Sequence, residues 1–106
     1  MEYQLNTSGT SVEISLTGEL SFSDLKTFRE LLTDTINASS AGAKQWILNL
    51  VNLKYIDSAG LGLVLRMKAT AEKEQKELTI RAAESGDVAQ ALEITKFHEL
   101  INLEKN

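Results

Sequence analysis

Around Gly18 the spacing of the apolar residues changes from two to three and four, and that change constrains the fold more than any other feature of the chain. Val12, Ile14 and Leu16 alternate with Glu13, Ser15 and Thr17, the period of a strand with one buried face. Ser8-Gly9-Thr10-Ser11 suits a tight turn ahead of it, so residues near Tyr3 to Asn6 are expected to pair with it as a hairpin. Beyond Gly18, Leu25, Phe28, Leu32 and Ile36 recur at helical steps behind the cluster Ser21 to Asp24. This predicts a helix with a capped start that fades near Ala38 to Gly42.

The rest of the chain continues the alternation. "QWILNLV", Gln45 to Val51, is a short and nearly continuous apolar run, as expected of a central strand. A second helix is expected from Ser58 to about Gln75, its later half solvated by Lys68, Glu72, Lys73, Glu74 and Lys76. "ELTIRAA" supplies Leu78 and Ile80 for another strand. Asp87 is then placed as the cap of a third helix with Val88, Ala91, Leu92 and Thr95 inward, and Leu100, Ile101 and Leu103 form a short closing element. Strand, strand, helix, strand, helix, strand, helix implies one α/β domain over residues 1–106, with a mixed sheet whose later strands run parallel through helical crossovers.

Composition narrows the function. A formal charge of -4 disfavours non-specific attraction to nucleic acid or anionic lipid. With no cysteine and one histidine, His98, a metal site would have to be built mostly of carboxylates, so neither a metal nor a cofactor is expected. The N-terminus lacks the basic start and apolar segment of a secretion signal, and no run approaches the roughly 18 apolar residues of a membrane span. A cytoplasmic protein is the expectation.

One stretch asks for a specific explanation: "YIDSAGLGLVL", Tyr55 to Leu65. An Asp-Ser step before a helix is an ordinary N-cap, and a glycine near the start permits close packing on a sheet. The apolar residues that follow exceed one helical face, with Leu61, Val64 and Leu65 on one stripe and Gly60, Leu63 and Met67 spread toward another. Either a second element covers the surplus, or it forms an exposed docking patch beside Ser58.

Ser58 is a poor nucleophile candidate. A nucleophile elbow needs glycine two residues before the serine, where Ile56 stands, and the single histidine lies 40 residues downstream. Gly60-x-Gly62 is followed neither by a third glycine at dinucleotide spacing nor by a phosphate-gripping lysine, so a small-molecule site is not expected. His98 reads as surface. As a modification site the serine makes more sense. A phosphate at a helix N-terminus meets free N–H groups and the positive end of the dipole, yet adds about 1.5 to 2 negative charges beside any docking patch. Asp57 adds like-charge repulsion, so separate proteins would have to add and remove that phosphate.

"VEISLTGEL", a helix, and then "WILNLVNLKYIDSAGLGLVL" resemble the STAS domain, in particular the single-domain anti-sigma factor antagonists of bacterial partner-switching systems. The similarity runs from about Tyr3 to Leu103 and centres on Asp57, Ser58, Gly60, Leu61 and Gly62. It implies a mixed sheet of four to five strands with helices mainly on one face. It further implies that Ser58 is phosphorylated by a serine kinase that doubles as an anti-sigma factor, of the histidine-kinase-like ATPase type, and dephosphorylated by a metal-dependent PP2C-type phosphatase. Ser21, where family members often carry an acidic residue, joins Asp57, Ser58, Ala59, Gly60, Leu61, Gly62 and Leu63 as the implied partner-binding set. No catalytic residue is implied. The competing reading is a structural STAS subunit of a larger signalling or transporter-associated complex.

Overall fold

The computed structural model describes residues 1–39 and 42–106. Among them the chain forms strands β1 (Glu2–Ser8) and β2 (Ser11–Leu20), helix α1 (Leu25–Ala38), strands β3 (Gln45–Asn49) and β4 (Leu53–Ile56), helix α2 (Ser58–Lys73), strand β5 (Glu77–Ala82), helix α3 (Asp87–Ile94) and strand β6 (Asn102–Lys105). Short 3-10 turns at Phe22–Asp24 and Phe97–Glu99 precede α1 and β6. α1 ends at Ala38, and of the stretch over which it was expected to fade, residues 40 and 41 lie outside the described residues.

The sheet runs β1-β2-β3-β5-β6, with β4 paired to β2 off this path. It is mixed as expected, the hairpin pair β1–β2 antiparallel and the other pairs parallel. It has six strands where four to five were expected. The short closing element expected around Leu100 to Leu103 is β6, and the strand not expected is β4, whose 4 residues are too few to show a period in the sequence.

β2 serves two partners along one edge, and this places the Asp57-Ser58 step. Its residues Ser11 to Ser15 pair with β3, and Gly18 to Leu20 pair with β4. Between the two, the chain leaves the sheet after Asn49, whose side-chain oxygen accepts from the Val51 N–H at 2.9 Å. The expected strand through Val51 therefore stops at Asn49. Leu53 N–H donates to the Leu50 carbonyl at 3.0 Å, closing the turn that sends β4 back to β2. A register shift at Gly18/Glu19, with Gly18 at φ 85°, bends β2 at that junction. The carboxyl ends of β2 and β4 thus meet, with the Phe22–Asp24 turn leaving one and α2 the other.

Alternation along the strands builds the core. Val12, Ile14 and Leu16 of β2, Trp46 and Leu48 of β3, and Leu78 and Ile80 of β5 are buried, and α1 packs against β2 while α2 packs against β5. The Trp46 indole N–H donates to Ser39 Oγ at 3.1 Å, so the largest core side chain is also satisfied. α1 buries Phe28, Leu31, Leu32 and Thr35, whereas Leu25 is exposed and Ile36 half-buried, a stripe rotated from the expected one. The sole buried polar residue described, Thr35, donates back to the Leu31 carbonyl at 2.8 Å, which lets it stand in an apolar row.

α2 buries Gly60, Leu61, Leu63, Val64, Met67 and Ala71. Leu65, on one stripe with the buried Leu61 and Val64, is exposed, and Lys68, expected to be solvated, is half-buried and paired with Glu72 at 2.9 Å. α2 ends at Lys73, short of Gln75, which takes φ 60° in the turn to β5. In α3, Gly86 at φ 107° is the N-cap and Asp87 the first helical residue, a correction of one position. Val88 and Leu92 face inward as expected, joined by Ala89; Thr95 is exposed, its hydroxyl donating to the Ala91 carbonyl at 2.7 Å.

On the opposite face of the sheet a polar row crosses the strands. Arg81 reaches Glu13 at 3.1 Å and Glu104 at 3.8 Å, and the Asn49 amide donates to Glu13 at 3.0 Å. On the helix-covered face, the Tyr3 hydroxyl of β1 donates to Asp34 of α1 at 2.6 Å, and that bond, burial and the charges of Asp34 and Glu30 push its pKa up to about 12.

Candidate functional site

Asp57 holds the junction together from three sides. Its own N–H donates to the Leu20 carbonyl at 3.2 Å, extending the β2–β4 pairing by one bond. Its extended backbone makes it the N-cap of α2: Oδ1 accepts from Gly60 N–H at 2.7 Å, and its carbonyl accepts from Leu61 N–H at 2.9 Å. Oδ2 accepts from Phe22 N–H at 3.4 Å, linking α2 to the 3-10 turn. One carboxylate therefore satisfies donors from two separate segments.

Ser58 is the first residue of α2 and is exposed. Its hydroxyl has no hydrogen-bond partner among the described residues. The amides of Ser58 and Ala59 have no acceptor one turn earlier, because the helix starts there. An anion attached to Ser58 Oγ would meet those donors and the positive end of the helix dipole.

The two glycines of the motif have different reasons. A Cβ on Gly60 would lie 2.3 Å from the Leu20 carbonyl oxygen and 2.8 Å from Ile56 Cγ1, so only glycine lets α2 sit directly on the end of β2. A Cβ on Gly62 would meet nothing within 4 Å. Packing within the domain does not require glycine there, although glycine in a helix costs about 0.8–1.0 kcal/mol relative to alanine.

The structure divides the expected site residues into two groups. Ser58, Ala59 and Gly62 are exposed, and Ser21 and Asp57 half-buried, around the same junction. Gly60, Leu61 and Leu63 are buried, the two leucines at 9% and 8% exposure, so their side chains belong to the core of the free domain. Most of the apolar surplus of α2 is thus covered, Leu65 at 38% exposure excepted, and further apolar surface beside Ser58 comes from another segment. Phe22 is 76% exposed and Leu25 38% exposed, on the turn that Asp57 fastens. Sequence reasoning missed Phe22 and placed Leu25 on the apolar stripe of α1. The available signal was a phenylalanine inside the polar capping segment Ser21–Asp24, ahead of any helical stripe that would bury it.

The turn that displays Phe22 is itself tightly held. Asp24 Oδ2 accepts from Ser21 N–H at 2.8 Å and from the Ser21 hydroxyl at 3.3 Å, while Oδ1 pairs with the Met1 ammonium at 2.9 Å. Burial works against ionisation of Asp24, but the ammonium and the Ser21 donors outweigh it and hold the carboxyl below its ordinary value. Ser21 Oγ also lies 2.9 Å from Ser23 Oγ.

His98 lies exposed on the turn before β6, in a shallow depression with Glu93, Leu103 and Lys105. Among the described residues no group of three or more His, Cys, Asp or Glu could hold a metal ion, and no helix is long and apolar enough to cross a membrane.

Solved structures of low sequence identity share this fold. An anti-sigma factor antagonist from Mycobacterium paratuberculosis matches with a TM-score of 0.79 at 14% identity, over 97% of this chain and 84% of that one. The anti-sigma factor antagonist SpoIIAA matches in its unphosphorylated form with a TM-score of 0.64 at 21% identity, over 99% of this chain and 87% of that one. The phosphorylated form of the Bacillus protein gives 0.67 at 20% identity, over 99% and 91%. A sulfate transporter family protein from Wolinella succinogenes gives 0.65 at 18% identity, over 88% and 72%. No curated protein sequence matches significantly. The family described as "Mlab, STAS domain" matches residues 3–102, from the second residue of β1 to the first of β6, and the chain belongs to that family of STAS domains.

Proposed function

We propose that the chain is a phosphorylation-controlled binding module of the anti-sigma factor antagonist kind, and not an enzyme. In this reading the unmodified domain binds a serine kinase that doubles as an anti-sigma factor, of the histidine-kinase-like ATPase type. Transfer of a phosphoryl group to Ser58 Oγ releases that partner, and a PP2C-type phosphatase resets the switch. The observation that carries the reading is the Ser58 hydroxyl, exposed and unpartnered at the start of α2 and beside the exposed Phe22 turn. Physical chemistry supplies the switch. The helix end tolerates a phosphate, whereas a partner covering Phe22, Ala59 and Gly62 would have to desolvate about 1.5 to 2 negative charges next to Asp57. The contact surface in this reading is Ser21, Phe22, Asp57, Ser58, Ala59 and Gly62, with Gly60, Leu61 and Leu63 shaping it from beneath.

A pull-down with the kinase partner tests the proposal. Ser58→Asp loses the partner, while Ser58→Ala retains it and is no longer released on incubation with ATP. Undiminished binding by the aspartate variant speaks directly against the switch.

A second reading is a structural subunit whose assembly into a larger complex ignores Ser58. The same fold in a sulfate transporter family protein favours it. Its signature is a stable assembly that co-purifies equally well with the alanine and aspartate variants.

A further inference from the structure

Between α1 and α2 lies a groove of about 400 Å³, lined by Arg29, Leu32, Thr33 and Ile36 of the first helix and Arg66 and Thr70 of the second. The two charges in that lining are both positive. Neither arginine side chain has a hydrogen-bond or ion-pair partner among the described residues. The threonine hydroxyls are already satisfied, Thr33 donating to the Arg29 carbonyl at 3.2 Å and Thr70 to the Arg66 carbonyl at 2.9 Å. In a chain with 15 acidic and 11 basic residues, acids are available to neutralise such a pair, as Glu13 and Glu104 do for Arg81. None does so here, which leaves both exposed guanidinium groups available to an outside anion.

We infer that this groove is a docking site for an acidic amphipathic helix of a partner protein. An apolar residue of that helix would rest on the half-buried Ile36, at the rim where the otherwise buried Leu32 closes the groove, and its carboxylates would take the planar donor pairs of Arg29 and Arg66. The inference rests on the partner-binding reading and specifies the partner's chemistry. Arg66 follows Ser58 by eight residues, about 12 Å along α2. Gly62 lies between them on the exposed side and leaves that path open. A phosphate on Ser58 would repel an acidic helix across about one and a half times the Debye length of about 8 Å at physiological salt, a weak and salt-sensitive effect.

The test uses the intact, isotopically labelled chain and two synthetic helical peptides with the same apolar stripe, one flanked by glutamates and one by lysines. NMR titration with the glutamate peptide is expected to shift the amides of residues 29–36 and 66–70, with the lysine peptide inert. Arg29→Glu combined with Arg66→Glu is expected to weaken the glutamate peptide at least tenfold while the circular dichroism spectrum stays unchanged. No shift with the glutamate peptide, equal response to both peptides, or unaltered affinity in the double variant overturns the inference. So does preferential, arginine-dependent binding to phosphatidylglycerol vesicles, which would make the groove a lipid site. Kinase binding separates the two proposals. If the double variant retains the kinase and Ser58→Asp loses it, the groove is wrong and the switch stands; if the peptide docks and Ser58→Asp keeps the kinase, the switch is wrong and the groove stands.

Discussion

At the scale of single residues, Gly60 and Gly62 make opposite predictions although they stand two positions apart on one helix. Gly60→Ala forces a methyl group against the Leu20 carbonyl, a backbone atom already engaged by Asp57 N–H, so α2 must shift off β2. The expected loss is about 1–3 kcal/mol despite the gain in helix propensity. Gly62→Ala meets no atom and should stabilise the domain by roughly 0.5–1 kcal/mol, raising Tm by a few degrees. Thermal unfolding of both variants checks the pair, and equal shifts in one direction would contradict the geometry. Leu63→Ala removes a buried side chain and should cost about 2–5 kcal/mol in denaturant unfolding. That "DSAGLG" opens a capped helix was legible in the sequence because the motif is contiguous. The division of labour within it was not, since what a glycine touches depends on Leu20, far away along the chain.

At the scale of elements, the segment between β2 and α1 is where sequence and structure diverge most usefully. Ser21 to Asp24 read correctly as a capping cluster, and the structure makes it a separate 3-10 turn that presents Phe22 and is fastened by Asp24. Because the Asp24 carboxyl is held below its ordinary value of 3.8, its ionised form is favoured by folding, so its contribution is present above that value and lost as pH falls below it. Asp24→Asn should therefore be less stable than the parent near neutral pH, with the difference shrinking as the solution is acidified into the carboxylate range. Urea unfolding at several pH values measures this, and a difference independent of pH would show that the carboxylate is not the fastening group. β4 went unread for another reason. Four residues cannot display a period, and pairing with the second half of β2 is a long-range choice that local propensity does not encode.

For the molecule as a whole, the order of strands and helices was readable because each longer element keeps its own period, and that order allows few sheet topologies. The helix faces were less readable. Leu65 looked like part of one stripe with Leu61 and faces solvent, while Leu61 and Leu63 are both covered, because α2 packs against the sheet, the neighbouring α1 and the first 3-10 turn and so buries a wider arc than one packing face requires. What results is a scaffold that holds the exposed Ser58 hydroxyl, the one proposed above to be modified, at a junction of two strand ends, a helix start and a 3-10 turn. Mass spectrometry of the protein isolated from its native cell tests this most directly. Trypsin releases residues 55–66, in which Tyr55 and Ser58 are the hydroxyl-bearing side chains, so fragmentation assigns any phosphate unambiguously. Phosphate on Ser58, removed by a PP2C-type phosphatase, is the expected result; a peptide that stays unmodified under every growth condition, or carries its phosphate on Tyr55, would contradict the account.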